Sequence, residues 1–428
     1  MRAAYETLGC KVNRYETDAM QELMEQAGFE TVAFGERAEI YLINTCTVTA
    51  MADKKSRQMI SRAHHASPEA RIFVCGCMAQ RDAQHILALE GVAGVIGSKN
   101  KSKIVQIVQR SLEGEDKIDA VEEILSVREF EPLQISRSGE RTRANLKICD
   151  GCNNFCSYCI IPYARGPVRS RWMGEIVCEA ERLVASGVKE IVLTGIHLGS
   201  YGKDLQETAL IDVIERLNEI PGLARLRLGS LEPSLLTEEF CDRAAKCSVL
   251  CPHFHVSLQS GSREVLRRMN RRYTPKDYER YIANVRNYFI NPAITTDIIA
   301  GFQGESRQEH QETLAFLRKI GFAKIHVFPF SKREGTAAER LEGDVPGPEK
   351  RRRAAEISEL AGQMQQEYLR RFVGKEEEIL LEEQERSGRM AGHTARYQRV
   401  VVEGGAENQM VRVCITGLER ETLLAQMV

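Results

Sequence analysis

The chain has 428 residues, 28% of them charged, and a formal net charge of −1, so it has room for about two to four domains but no global field for a polyanion. It contains no membrane-length apolar run, and its first residues, MRAAYETLGC, carry no signal-peptide pattern, which predicts a cytoplasmic protein with no membrane partner. Thirteen cysteines in a reducing compartment argue against a disulfide framework and for metal ligation or thiol chemistry.

Residues 1–112 alternate apolar runs (RAAYETLGC, EIYLINTC, RIFVCGC, VAGVIGS) with helical patterns near Arg14–Ala27, Val48–His64 and Gln80–Leu89. This alternation predicts a parallel α/β sheet. Residues 113–142 are polar and read as a linker. A second series fills 143–345, with strands expected at Ala144–Cys149, Glu190–Thr194, Leu226–Gly229, Phe254–Ser257, Ile294–Ile299 and Lys324–Phe328. Six βα units rather than eight predict an open, partial (β/α)6 barrel. Residues 346–372 have Pro348 at a helix start and apolar positions at helical spacing, so they read as a connecting helix. In 373–428, alternation as in MVRVCITG and punctuation by glycines predict a small all-β barrel.

The chemistry is concentrated in CDGCNNFCSYC, where Cys152, Cys156 and Cys159 form a C-x3-C-x2-C array and Cys149 lies outside it. A [4Fe–4S] cubane takes one thiolate per iron, so three ligands leave one iron open to react. The array follows the first barrel strand, at the end of the barrel where active sites form. The rival is a zinc site completed by Cys149, against which stands the lack of a second paired set. Cys10, Cys46 and Cys77 each follow a strand of the first sheet. Strands in a parallel sheet lie about 4.8 Å apart, so these thiols would converge at one edge and could carry a second cluster. The alternative is that they are ordinary small buried residues. Cys75 reads as core, and Cys178, Cys241, Cys247, Cys251 and Cys414 as packing.

The other barrel strands end in LTGIHLGSYG, RLGSLEP, HVSLQSGS, TDIIAGFQGE and VFPFS. There Gly195 would let a ligand approach the backbone, and Glu232, Ser257 and Gln259 could fix an amino group, a carboxylate or ribose hydroxyls. The arginines of RGPVRSR and SREVLRRMNRR, with Arg389, Arg396, Arg399 and Arg412 in the C-terminal module, are candidate contacts for RNA phosphates.

Together these residues resemble the radical S-adenosylmethionine methylthiotransferases over almost the whole chain. TLGCKVNRYETD, NTCTVTAMADKKSRQ and CGCMAQR look like that family's N-terminal domain, and the last segment looks like its RNA-binding TRAM barrel. The resemblance implies two [4Fe–4S] clusters, at Cys152, Cys156 and Cys159 and at Cys10, Cys46 and Cys77. The first would bind S-adenosylmethionine and generate a 5′-deoxyadenosyl radical, and the second would supply sulfur. No side chain need act as acid, base or nucleophile, because the cofactors carry the chemistry. TLGCKVNRYET is most similar to the bacterial branch acting on threonylcarbamoyladenosine at position 37, in the tRNA anticodon stem-loop. Other branches act on isopentenyladenosine or on a ribosomal-protein aspartate. A one-electron donor such as flavodoxin is implied as well. A non-catalytic iron–sulfur RNA-binding or redox-sensing protein is the rival of another class, and it would not need ligand pockets after five strands. Gln303 stands where the family usually has proline, which predicts a looser turn near the cofactor.

Overall fold

The computed structural model describes residues 1–136, 142–206 and 208–428. Its first sheet contains β1 (Arg2–Thr7), β2 (Glu30–Val32), β3 (Ile40–Thr45), β4 (Arg71–Gly76), β5 (Val92–Ile96) and β6 (Ile118–Ala120). All neighbours are parallel and the order is β2-β1-β3-β4-β5-β6. β3 and β5 are buried at every residue, as strands covered on both faces must be, and hence read as continuous apolar runs. The covering helices include α1 (Lys11–Gln26) and α2 (Ala50–Ala66). The single helix expected near Gln80–Leu89 is two short ones, α3 (Cys77–Arg81) and α4 (Ala83–Leu87), broken at Asp82 with φ −138° and ψ 40°. The stretch read as a linker carries β6, which extends the first sheet; its residues 137–141 lie outside the described residues.

The second series matches the expected α/β barrel. Its strands are β7 (Arg143–Asp150), β8 (Arg169–Ser170), β9 (Glu190–Gly195), β10 (Arg225–Leu228), β11 (Ser230–Leu231), β12 (His253–Val256), β13 (Ala293–Ala300) and β14 (Lys324–Pro329). They form a β10-β9-β7-β8 sheet and a β11-β12-β13-β14 sheet, joined by a parallel bridge between Leu226 and Leu250. Among the described residues β14 does not pair back to β7, so the arch stays open. The helix Gly347–Arg370 then leads to a closed five-stranded barrel, in which β15 (Glu376–Gln384), β16 (Met390–Thr394), β17 (Arg399–Val402), β18 (Met410–Glu419) and β19 (Thr422–Met427) follow the order β15-β16-β17-β19-β18.

This last module docks on the N-terminal rim of the arch. Arg225 donates to the His393 and Glu378 carbonyls at 2.7 Å each, and Arg227 to the Ala395 carbonyl at 2.9 Å. Arg396, expected to face RNA, instead donates to the Asn291 carbonyl at 2.9 Å and pairs with Glu377 at 3.2 Å. Tyr397 sits under two guanidinium groups, 4.7 Å from Arg227 and 5.1 Å from Arg143. Glu190 neutralises both, at 2.9 Å from Arg227 and 2.5 Å from Arg143.

Burial alone would raise the Glu190 carboxyl, but Arg227 and then Arg143 hold it down at about 2, against an ordinary value of 4.5. A depressed folded value means that the stabilisation is complete above about pH 4.5 and is lost as pH falls toward about 2. The gap corresponds to about 3 kcal/mol. Glu190→Gln should therefore cost about that much at neutral pH and flatten the acid limb of a Tm-against-pH profile. A variant whose profile overlays the parent between pH 2 and 4.5 would refute the assignment.

Candidate functional site

The first cysteine triplet is built by strand register. Thr7 pairs with Asn44 and Thr45 with Gly76, so Cys10, Cys46 and Cys77 leave the same edge of three adjacent strands. Cys77 bears electrostatically on both Cys10 and Cys46, and Cys10 on Cys46. Two glycines make the approach possible. Gly9 has φ +99° and a Cβ there would lie 2.7 Å from the Cys46 Cβ, while Gly76 has φ +93° and a Cβ there would meet the Thr45 carbonyl at 2.6 Å. Cys10 is solvent-accessible but ringed by protein, and burial pushes its thiol up, as it pushes Cys46 up to about 12.

The second triplet lies on the loop after β7. Gly151 turns the chain at φ +73°, where a Cβ would lie 1.9 Å from the Pro167 carbonyl oxygen. The Cys152 amide then donates to the Gly166 carbonyl at 3.0 Å, and the Ser157 amide to the Met269 carbonyl at 3.0 Å. Asn270 donates to the Phe155 carbonyl at 3.0 Å. SREVLRRMNRR thus clamps the loop in addition to presenting arginines. Burial pushes Cys152 up to about 11 and Cys159 up to about 12. Arg271 donates to the Cys156 sulfur at 3.3 Å and to both Glu232 oxygens at 2.9 Å.

A buried charge cluster joins the two triplets. Arg165, six residues after Cys159 and at the end of α5 (Ile161–Arg165), donates through Nε to the Cys77 sulfur at 3.1 Å. Its other nitrogens bond Asn13, Glu16 at 3.1 Å and Asp150 at 3.2 Å. Lys147 reaches Glu16 at 2.7 Å and Asp150 at 2.6 Å, and Lys101 reaches Glu16 at 3.2 Å. Burial would raise the Glu16 carboxyl, but Arg165, Lys101 and Lys147 hold it far below the carboxylate range; Lys147 and Arg165 do the same for Asp150.

These contacts correct one expectation outright. The arginines of RGPVRSR do not face solvent: Arg165, Arg169 and Arg171 are at most 2% exposed. Arg169 pairs with Asp150 at 3.6 Å and Arg171 with Glu179 at 2.5 Å. Arg268 pairs with Glu309 at 2.8 Å, Arg399 with Glu385 at 2.9 Å and Arg389 with Glu385 at 3.5 Å. Exposed arginines remain at Arg263, Arg267, Arg272 and Arg412. The turn at Gln303 is not loose: its amide donates to the Leu341 carbonyl at 2.9 Å, and the Gly304 amide to the Gly343 carbonyl at 2.6 Å.

Of the strand-end residues, Glu232 lines a cavity of about 180 Å³ with Cys156, His197, Asn270, Arg271 and Arg272. Gly195 packs on Cys149, where a Cβ would lie 2.4 Å from the sulfur. Ser257 and Gln259 close β12, with the Ser257 amide on the Leu231 carbonyl and the Gln259 amide on the Asp297 carbonyl, and they do not line that cavity. Sequence reasoning passed over Asn13, Glu16 and Asp150, and it read Arg165 and Arg271 only as members of groups facing RNA. The one available signal was their closeness in sequence to the cysteines.

The donor set suits iron–sulfur clusters. Each triplet offers three thiols, of which all but Cys10 are buried or half-buried, and in each a guanidinium donates to one sulfur, the arrangement that stabilises thiolate charge. Among the described residues no three His, Cys, Asp or Glu side chains converge tightly enough to hold a single metal ion, whereas a cubane draws each thiolate to a separate iron. No helix among the described residues is long and apolar enough to cross a membrane.

Residues 2–97 match Uncharacterized protein family UPF0004, residues 146–317 the Radical SAM superfamily, and residues 370–428 the TRAM domain. The threonylcarbamoyladenosine tRNA methylthiotransferase MtaB of Bacillus subtilis is 40% identical over 94% of this chain and 90% of its own length. The protein of the same name from Aquifex aeolicus is 37% identical over 97% and 100%. A tRNA-2-methylthio-N(6)-dimethylallyladenosine synthase of Clostridium tetani is 32% identical over 96% and 93%. Among solved structures, the radical S-adenosylmethionine methyltransferase TsrM of Kitasatospora setae superposes with a TM-score of 0.57 at 17% identity, over 77% of this chain and 71% of that one, a likeness of fold. With three domain families in order and relatives aligned nearly end to end, the chain belongs to the radical S-adenosylmethionine tRNA methylthiotransferases, enzymes that use S-adenosylmethionine and iron–sulfur clusters.

Proposed function

We propose that the enzyme adds a methylthio group to carbon 2 of threonylcarbamoyladenosine at tRNA position 37, beside the anticodon. The observation that carries this reading is the pair of cysteine triplets, one touched at Cys77 by the buried Arg165 and the other ending six residues before that arginine. The relatives named for that nucleoside are also the more similar ones. Cys152, Cys156 and Cys159 would hold one [4Fe–4S] cluster and Cys10, Cys46 and Cys77 a second. When bound, these groups supply reductive cleavage of S-adenosylmethionine and the sulfur for transfer. The side chains position and insulate them. Arg271 and Arg165 place positive charge on a ligand sulfur in each set. Glu232, fixed by Arg271, lines the space in which S-adenosylmethionine would lie, and Gly195, packed on Cys149, would let the backbone behind that space come close to it. Ser257 and Gln259, outside that cavity, would meet only the part of S-adenosylmethionine that extends beyond it. A small one-electron carrier such as flavodoxin is the expected reductant.

An anticodon stem-loop carrying threonylcarbamoyladenosine should be converted by the reconstituted enzyme, and one carrying plain adenosine should not. Conversion of an isopentenyladenosine loop instead would overturn the substrate assignment, and mass spectrometry of tRNA nucleosides from a deletion strain provides the check in cells. Arg267 and Arg272 are exposed beside the cluster loop. Replacing both with Gln should weaken binding of all stem-loops alike and lower the slope of log K against log salt by about two, one for each phosphate no longer neutralised. An unchanged slope would place the RNA elsewhere.

A further inference from the structure

A cavity of about 580 Å³ lies between the barrel strands, the C-terminal module and the start of α1. Its size falls within the range of small-ligand sites, and its wall carries polar groups that are incompletely satisfied. His253 is 8% exposed, lines the cavity and has no hydrogen-bond partner for Nδ1. His255 and His326 face each other across the wall at 5.8 Å between ring centroids. Buried polar atoms are almost always paired, so an orphan in a cavity wall marks a place for a ligand or water.

The charges in this wall point to one class of ligand. Lys324 is held by Glu421 at 3.4 Å, Arg396 by Glu377 at 3.2 Å and Arg399 by Glu385 at 2.9 Å. Lys11 alone of the lining Lys and Arg residues makes no hydrogen bond or ion pair among the described residues. Its side chain is accessible to solvent but ringed by protein. The charged groups bearing on it are Arg227, Arg143 and Glu190, and Glu190 is already shared by those two arginines. An ammonium that opens into such a space, with two guanidinium groups nearby and no partner of its own, is available to a ligand that brings a negative charge. Lys11 also directly follows Cys10, so this uncompensated charge lies one residue from the triplet assigned to sulfur transfer.

We propose that Lys11 receives the carboxylate of the amino-acid substituent on the modified adenine, and that the cavity behind it houses that substituent. This rests on the substrate reading above and adds to it the group that reads the substituent. An isopentenyl chain offers no counter-charge and would leave Lys11 unpaired, so the same residue that accepts one substrate disfavours the other.

The test uses full-length reconstituted protein and three stem-loops: with threonylcarbamoyladenosine, with its carboxylate methyl ester, and with plain adenosine. The parent enzyme should bind the acid about tenfold or more tighter than the ester, the discrimination expected when a charge-assisted hydrogen bond is lost. Lys11→Gln should bind acid and ester equally, Lys11→Arg should keep part of the preference, and affinity for the plain loop should stay the same in all three proteins. A parent that converts the acid loop yet binds acid and ester alike would overturn the proposal while leaving the substrate reading intact. So would a Lys11→Gln protein that keeps the preference. A parent that fails to convert the acid loop would overturn the substrate reading itself, and this proposal with it. If Lys11→Gln loses iron or fold, the parent's acid–ester ratio and Lys11→Arg decide.

Discussion

Replacing Cys152, Cys156 and Cys159 together with alanine should abolish S-adenosylmethionine cleavage and halve the bound iron, from about eight to about four per chain. The two triplets have separate supports: strand register and Gly9 for one, the Gly151 turn and the Met269–Arg271 clamp for the other. Emptying one should leave the other's backbone in place. Cys10→Ala is the complementary experiment. It should eliminate methylthiolated product while cleavage of S-adenosylmethionine continues uncoupled, because the loop after β7 is untouched. Iron analysis and chromatography of 5′-deoxyadenosine give independent readouts. Loss of all iron in the triple variant, or loss of all cleavage in a folded Cys10→Ala protein, would refute the division of labour.

Glu16→Ala should destabilise the protein by about 3–5 kcal/mol, the cost of leaving buried cations without their partner. Glu16 is fully buried and is the common acceptor for Arg165, Lys147 and Lys101, with Asp150 as the only other acid contacting this group among the described residues. Three cations facing one remaining carboxylate cannot be relieved by water, since Lys101, Lys147 and Arg165 are each at most 1% exposed. Removing the exposed Glu264, which pairs with Arg267 on the surface, should cost less than about 1 kcal/mol. Urea midpoints of the two variants measured side by side make the comparison. Equal midpoints would mean that the buried cluster contributes no more than a surface pair.

The parts legible in the sequence were those with local signatures. Cys152, Cys156 and Cys159 are seven positions apart from end to end, and β3, β4 and β5 are runs of apolar residues. The small β2 and β6 were invisible because three residues, ETV and IDA, are too short to show a period. The fate of the arginines was hidden for a different reason. RGPVRSR looks like a phosphate-binding patch until Glu16, 149 positions before Arg165, is brought against it. Whether a cation is free or paired is a property of long-range contacts, and a local motif does not contain them. Gln303 shows the same limit on a smaller scale: the missing proline was visible, but the Leu341 carbonyl that replaces its restraint was not.

The reach of Arg165 also has a consequence for how the protein is made. Cys10, Cys46 and Cys77 leave the ribosome well before residue 165 is synthesised, so the N-terminal sheet has all its thiols while one of them still lacks its cationic partner. The guanidinium arrives attached to the loop that carries the other three cysteines. Until that loop is in place, Asn13, Glu16 and Cys77 are an incomplete half of a polar core, with negative and thiol groups turned toward a partner not yet translated. Completion of one cysteine pocket is thereby tied to the folding of the other, and a chain cut between the two domains forfeits more than the severed half.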